Sequence, residues 1–215
     1  MGNREYKNFS EGNIYHLYNR GNNKEILFRD EQDYRAFLFR LGLVLGFKKE
    51  DLDKCEITKS PKSRIRISGL KSENFKLHAF CLMPNHFHLL IEQCGDESIS
   101  KLMVKLCTSF SRYLNLKYKR VGYVFQDRFK AVHIETNPQL MLISSYIHMN
   151  PIKDSLANKP EDYKWSSYND FIVNRKNSII FKDFLLDIFG NKNNFVKENL
   201  ALYNKKVSKG DFDTF

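Results

Sequence analysis

Residues 75–92 read FKLHAFCLMPNHFHLLIE. Two apolar-rich segments, Phe75 to Leu82 and His86 to Glu92, are joined by the tight link Met83-Pro84-Asn85 and predict an antiparallel pair of strands. Successive side chains alternate between faces. Phe87, Leu89 and Ile91 therefore share one face with Asn85, and His86 and His88 share the other with Leu90 and Glu92. Two imidazoles side by side can hold one divalent metal. The same pair also fits two unrelated histidines on a solvated strand face, and His-x-His alone does not choose.

Working outward, Asn13 to Arg20 (NIYHLYNR) predicts a strand, ended by Gly21, Asn22 and Asn23. A helix follows from about Asp30, with Tyr34, Phe37, Leu38, Leu41 and Leu45 at helical spacing. A second helix is expected from about Ser98 to Tyr118 and a short strand from Phe129 to Ile134. A third helix starts at Thr136-Asn137-Pro138, a polar cap with proline in the first turn, and should end near Asn150 because Pro151 disfavours the helical conformation before it. Strands mixed with helices predict an α+β fold, a small antiparallel sheet covered by helices. On the third helix, Gln139, Leu142, Tyr146 and Asn150 fall within about 80° of arc. Tyr146 sits at the edge of the buried face and reads either as a nucleophile beside a third metal ligand or as a boundary tyrosine with a wet hydroxyl. His148 lies roughly 160° away around the helix and is the poorer candidate.

The chain has 215 residues, 42% of them hydrophobic, with 18 Phe and 11 Tyr, which excludes disorder throughout. No apolar run is long enough to span a membrane and the amino end lacks the apolar stretch of a signal peptide, so a cytoplasmic protein is expected. Cys55, Cys81, Cys94 and Cys107 form no CxxC pair and read as reduced packing residues. The formal charge is +10, of which Ser98 to His133 supplies +7 and Lys54 to Lys76 supplies +5. Lys101, Lys105, Arg112 and Lys119 fall within about 40° of arc on the second helix, and Asp127 is the one acid between Ser98 and His133. A basic stripe without acidic partners is not a salt-bridged solvent face and suits a phosphate backbone beside the His and Tyr residues. Tyr118, Tyr123, Phe125 and Phe129 interleave with Lys117, Lys119, Arg120, Arg128 and Lys130, as would suit stacking on unpaired bases, although core packing is the better explanation for most of these aromatics.

Taken together, YHLYNRG (15–21), MPNHFHL (83–89), GYVFQDRF (122–129), YIHMNPI (146–152) and YKWSSY (163–168) resemble the single-tyrosine HUH transposases of the insertion-sequence 200 type, most closely their REP-associated tyrosine transposase branch. The resemblance covers roughly residues 13–171. It implies an HUH nuclease fold, with His86 and His88 as metal ligands, Tyr146 as the nucleophile and Asn150 in a third ligand position. Gln126 and Arg128 match a motif that contacts DNA or braces the site. The implied reaction is metal-dependent cleavage and rejoining of single-stranded, hairpin-containing DNA through a 5'-phosphotyrosine link, with Mg²⁺ or Mn²⁺ as the cofactor. Relatives act as dimers or as monomers. Two other readings are a binding protein that has lost catalysis and a metal-dependent phosphodiesterase in which water attacks. The expected division is a catalytic domain over 1–171, with a basic insert near 50–72, and an extension over 172–215.

Overall fold

The computed structural model describes residues 8–59, 65, 67–173, 175 and 177–207. Its strands are β1 (Asn13–Arg20), β2 (Phe75–Met83), β3 (His86–Gln93) and β4 (Lys130–Ile134), paired antiparallel in the order β2-β3-β1-β4. The β2–β3 turn is pinned from outside: the Pro84 carbonyl accepts from the backbone N–H groups of Leu27 and Phe28, and that of Asn85 accepts from Gly21 N–H. Gly21 permits this close folding, because a Cβ there would run into the Glu25 carbonyl oxygen. Register then places Arg20 opposite His86 and Tyr18 opposite His88, with Cys81 and Lys130 flanking them on the outer strands.

One sheet face is covered by α1 (Glu31–Val44) and α3 (Ile99–Lys117). Phe87 points to this side and meets Phe37 at 4.8 Å, while Phe37 in turn meets Phe110 at 5.0 Å. The short α2 (Lys49–Asp53) opens the insert, whose Leu52, Cys55 and Ile57 are buried. The rest of the expected basic loop falls partly on 60–64 and 66, outside the described residues. The opposite sheet face is covered by α4 (Asn137–Lys153). Behind α4 lie α5 (Tyr168–Ile172), α6 (Lys182–Phe189) and α7 (Lys192–Val207). Phe195 of α7 stacks on Phe171 at 4.5 Å and meets His148 edge-on at 5.6 Å. Among the described residues no helix is long and apolar enough to cross a membrane.

Helix starts fall at the expected caps: Asp30, Ser98 and Thr136 each accept a hydrogen bond from the backbone N–H three residues on. The end of α4 differs from expectation. It continues through Pro151 to Lys153, because Asp154 N–H bonds Asn150 O and Leu156 N–H bonds Pro151 O, closing the last turn around the proline. The histidine-bearing face of β3 is also not solvated: α4 covers it, His88 is only 4% exposed and Leu90 is fully buried.

Candidate active site

His86 and His88 come from β3 and Tyr146 and Asn150 from α4, brought together because α4 crosses the sheet on the face to which the histidines point. They line one cleft of about 510 Å³, together with Tyr18, Arg20, Gln126, Arg128, Lys130 and Lys153. The His88 ring lies 5.0 Å from that of His86 and 5.4 Å from that of Tyr146, edge-on to both. Lys153 Nζ stands 6.0 Å from the centre of the Tyr146 ring.

The protonation states follow from burial. Desolvation pushes His86 down to about 4, helped by the cations Arg20 and Lys153. His88 is held well below its ordinary value by burial and then by His16, His86 and Lys153. Burial alone pushes His16 down to about 3. All three imidazoles are therefore neutral near pH 7, as a metal ligand must be.

His16 was not singled out from the sequence, yet its Nε2 is 2.9 Å from His88 Nδ1. The signal was present in alternation on β1, where His16, Tyr18 and Arg20 share a face, but it becomes readable only once the β1–β3 register is known. Asn85 holds His86 in a similar way, its Oδ1 accepting from Nδ1 at 2.7 Å. Each β3 histidine thus has one ring nitrogen engaged by a neighbour, an arrangement that would leave the other to offer its lone pair to a metal. His88 Nε2 is buried with no hydrogen-bond partner, a costly state that a bound cation would relieve. Asn150 donates Nδ2–H to the Tyr146 carbonyl at 2.7 Å, leaving Oδ1 as its acceptor atom. Among the described residues no three His, Cys, Asp or Glu side chains converge on a metal position. His86, His88 and Asn150 line the same cleft, so two imidazoles and one amide oxygen are the donors a metal would be offered there.

Residues 54–150 match the family model described as Transposase IS200 like. A Haemophilus influenzae protein assigned to the REP-associated tyrosine transposases is 28% identical over 106 residues, 44% of this chain and 60% of that protein's length. The solved structure of a REP-associated tyrosine transposase bound to a REP hairpin superposes with a TM-score of 0.57 at 14% identity, covering 80% of this chain and 86% of the other. The resemblance read from the motifs is thereby shown, and the fold is that of a REP-associated tyrosine transposase.

The expected DNA-contacting residues divide into two groups. Gln126, Arg128 and Lys130 line the cleft with the His and Tyr side chains. Lys101, Lys105, Arg112, Lys119 and Arg120 do not, because α3 packs on the opposite face of the sheet. The expectation that the α3 stripe lies beside the site is corrected accordingly. Nor is the stripe free of acids: Lys101 pairs with Glu97 and Arg120 with Glu25 at 2.6 Å, carboxylates that lie before Ser98 in the chain. Lys119 is off the helix altogether, in a left-handed conformation with φ 50° just past its end. His148 is buried behind α4, 2.9 Å from Ser167 Oγ, and takes no part in the cleft. Tyr123 is exposed, whereas Tyr118 donates its hydroxyl to Asp33 at 2.6 Å as a packing residue.

Proposed function

We propose that the protein cleaves and rejoins single-stranded, hairpin-containing DNA with Tyr146 as the nucleophile. The observation that carries this reading is the shared cleft: a tyrosine from α4 faces two neutral, oriented histidines from β3, with cations at the rim. The phenol of Tyr146 loses its proton to solvent as its oxygen forms a bond to phosphorus, the bond from phosphorus to the 3' oxygen breaks, and that oxygen takes up a proton from solvent and leaves as a hydroxyl. The product is a 5'-phosphotyrosine link, which conserves the phosphodiester energy for the later attack by another 3' hydroxyl. His86, His88 and Asn150 would hold a divalent cation, Mg²⁺ or Mn²⁺, which when bound supplies charge to polarise a non-bridging phosphate oxygen. Lys153 places a positive charge 6.0 Å from the centre of the Tyr146 ring, beside the attacking group. Arg20, Arg128 and Lys130 surround the cleft where flanking phosphates would lie, and Gln126 adds a hydrogen-bonding amide. Residues 1–171 would form the catalytic domain, and the extension over 172–215 would brace α4 from behind.

The test is an incubation with Mn²⁺ and an end-labelled single-stranded oligonucleotide carrying an imperfect hairpin. A denaturant-resistant protein–DNA adduct is expected, lost in Tyr146→Phe and in the His86→Ala, His88→Ala double variant. Cleavage that persists in Tyr146→Phe without an adduct would replace this mechanism by water attack. Hairpin binding without any cleavage would leave a binding protein.

A further inference from the structure

A second cavity, of about 460 Å³, lies on the opposite side of the sheet from Tyr146, between α1, the outer face of α3 and the segment around Ser68. Its walls carry Arg40, Lys105 and Arg112, the hydroxyl-bearing Ser68, Thr108 and Ser109, and the apolar side chains of Val104 and Leu116, which are exposed to solvent.

Arg40 is the unusual member. It is 2% exposed, yet its guanidinium meets no carboxylate among the described residues. Nε donates to Ser109 Oγ at 3.1 Å, one terminal nitrogen donates to the Ala36 carbonyl at 2.9 Å, and the group sits 4.7 Å over the Tyr113 ring. Burial lowers its pKa to about 10, so it keeps its charge at neutral pH. A buried cation without a counter-charge is costly, and hydrogen bonds to neutral groups offset only part of that cost.

The neighbouring cations share the same lack. Lys105 Nζ bonds only Ser68, at 2.6 Å to Oγ and 3.1 Å to the carbonyl, and no carboxylate approaches Arg112 among the described residues. Elsewhere along α3 the opposite holds: Lys101 has Glu97, and Lys117 has Asp30 and Asp33 at 2.7 Å each. Among the described residues the three cations around this cavity, Lys105 and Arg112 of α3 and Arg40 of α1, remain without acids, whereas the other lysines of α3 are matched. Residues 60–64 and 66, which precede Ser68 in the sequence, include no Asp or Glu.

We propose that the Arg40, Lys105 and Arg112 cavity is a phosphate-binding site separate from the Tyr146 cleft, seating one phosphate group. Lys105 and Arg112 supply charge at the mouth, Arg40 supplies field from the floor, and the hydroxyls of Ser68, Thr108 and Ser109 supply donors. The apolar rim of Val104 and Leu116 suits the sugar or base that a nucleotide phosphate carries. The group can belong to a DNA backbone that continues across α3 or to a free phosphate or mononucleotide. The proposal rests on the DNA-binding reading only in the first of these sources.

Because Arg40 is packed in the core, the test uses Lys105→Ala with Arg112→Ala, and Lys192→Ala with Lys197→Ala as an exposed control of equal charge on α7. All proteins carry Tyr146→Phe, so that binding is measured without cleavage and an absent adduct would not bear on the result. In one arm a fluorescent hairpin oligonucleotide is titrated at several salt concentrations. The first pair should weaken binding tenfold or more at 0.1 M salt and reduce the log–log salt slope by about one, with little effect of the control. In the other arm, inorganic phosphate at constant ionic strength should raise the melting temperature of the parent and not of the Lys105, Arg112 variant. A response in the first arm assigns the site to DNA backbone, and a response in the second alone assigns it to a free phosphate group. If neither arm separates the Lys105, Arg112 variant from the control, the site does not exist.

Discussion

Replacing His16 tests whether the buried imidazole pair is a metal-positioning device or mere packing. His16 is fully buried and neutral, so His16→Leu exchanges side chains of similar bulk without removing a charge. In the wild type two imidazole nitrogens of the pair lack partners, His16 Nδ1 and His88 Nε2. In the variant two still would, because His88 loses its 2.9 Å contact at Nδ1 while the His16 orphan disappears. The count of unsatisfied groups is unchanged, so the metal-free protein should keep its stability within about 1 kcal/mol. Metal affinity should behave differently. For His88 Nε2 to offer its lone pair, the proton must sit on Nδ1 and point at His16 Nε2. Losing such an outer partner typically weakens a metal site by roughly 10- to 100-fold, which corresponds to about 1.4 to 2.8 kcal/mol. Calorimetric titration with Mn²⁺ in a Tyr146→Phe background, alongside urea unfolding without metal, reads both quantities. His16→Gln, whose amide oxygen can accept the same proton, should recover part of the affinity. Unchanged Mn²⁺ affinity in His16→Leu would refute the positioning role, and a loss of several kcal/mol without metal would show that the pair serves the core instead.

Asp33 is a buried hub, accepting from the Tyr113 hydroxyl at 2.9 Å, Lys117 Nζ at 2.7 Å, the Tyr118 hydroxyl and Arg29 N–H. Asp33→Ala strands those donors and should cost about 3–5 kcal/mol in urea unfolding, since one partner of a buried charge pair is removed. Gly46 has φ +89° and a Cβ there would approach the Ser72 backbone to 2.7 Å, so Gly46→Ala should destabilise by at least about 2 kcal/mol. Gly122, with φ +94° but open space around it, should lose only about 1 kcal/mol as Ala, and paired melts would separate strain from collision. Glu92 accepts from His78 Nε2 at 2.9 Å, which holds its carboxyl below the ordinary 4.5. Its contribution is therefore present above pH 4.5 and fades as pH falls through the lowered folded value. Glu92→Gln should be less stable than wild type at pH 7 and indistinguishable near pH 2, measured as urea midpoints across that range.

Short-range patterns carried most of the fold. Alternation on β3 and the caps Asp30, Ser98 and Thr136 located strands and helix starts to within a residue or two, because those signals depend on neighbours in sequence. Pairings across the chain were not legible. Arc arithmetic placed Lys101, Lys105 and Arg112 on one side of α3 correctly, but it gave no sign that this side faces away from the cleft. Counting acids within Ser98 to His133 could not find Glu25, Asp30, Asp33 and Glu97, which neutralise Arg120, Lys117 and Lys101 from outside that window. Only after those partners are subtracted do Lys105 and Arg112 stand out on α3, beside Arg40 of α1, as cations without an acid among the described residues. Arg40, the most buried of the three, had no pattern in the sequence to mark it.

The position of Tyr146 depends on parts of the chain that supply nothing to the cleft, one of which, α7, lies outside the recognised motifs. One side of α4 presents Tyr146 and Asn150 to the cleft. The other buries Ser144, Ser145 and His148, with Ser145 Oγ donating to the Asn199 carbonyl at 2.7 Å and His148 held against Ser167 and Phe195. These contacts fix how α4 is rotated about its axis, and a helix rotated by one residue turns by about 100°. Such a turn would carry the phenol away from His88. Helices α5 and α7 therefore determine whether the tyrosine and the histidines meet, although neither supplies a residue to the cleft.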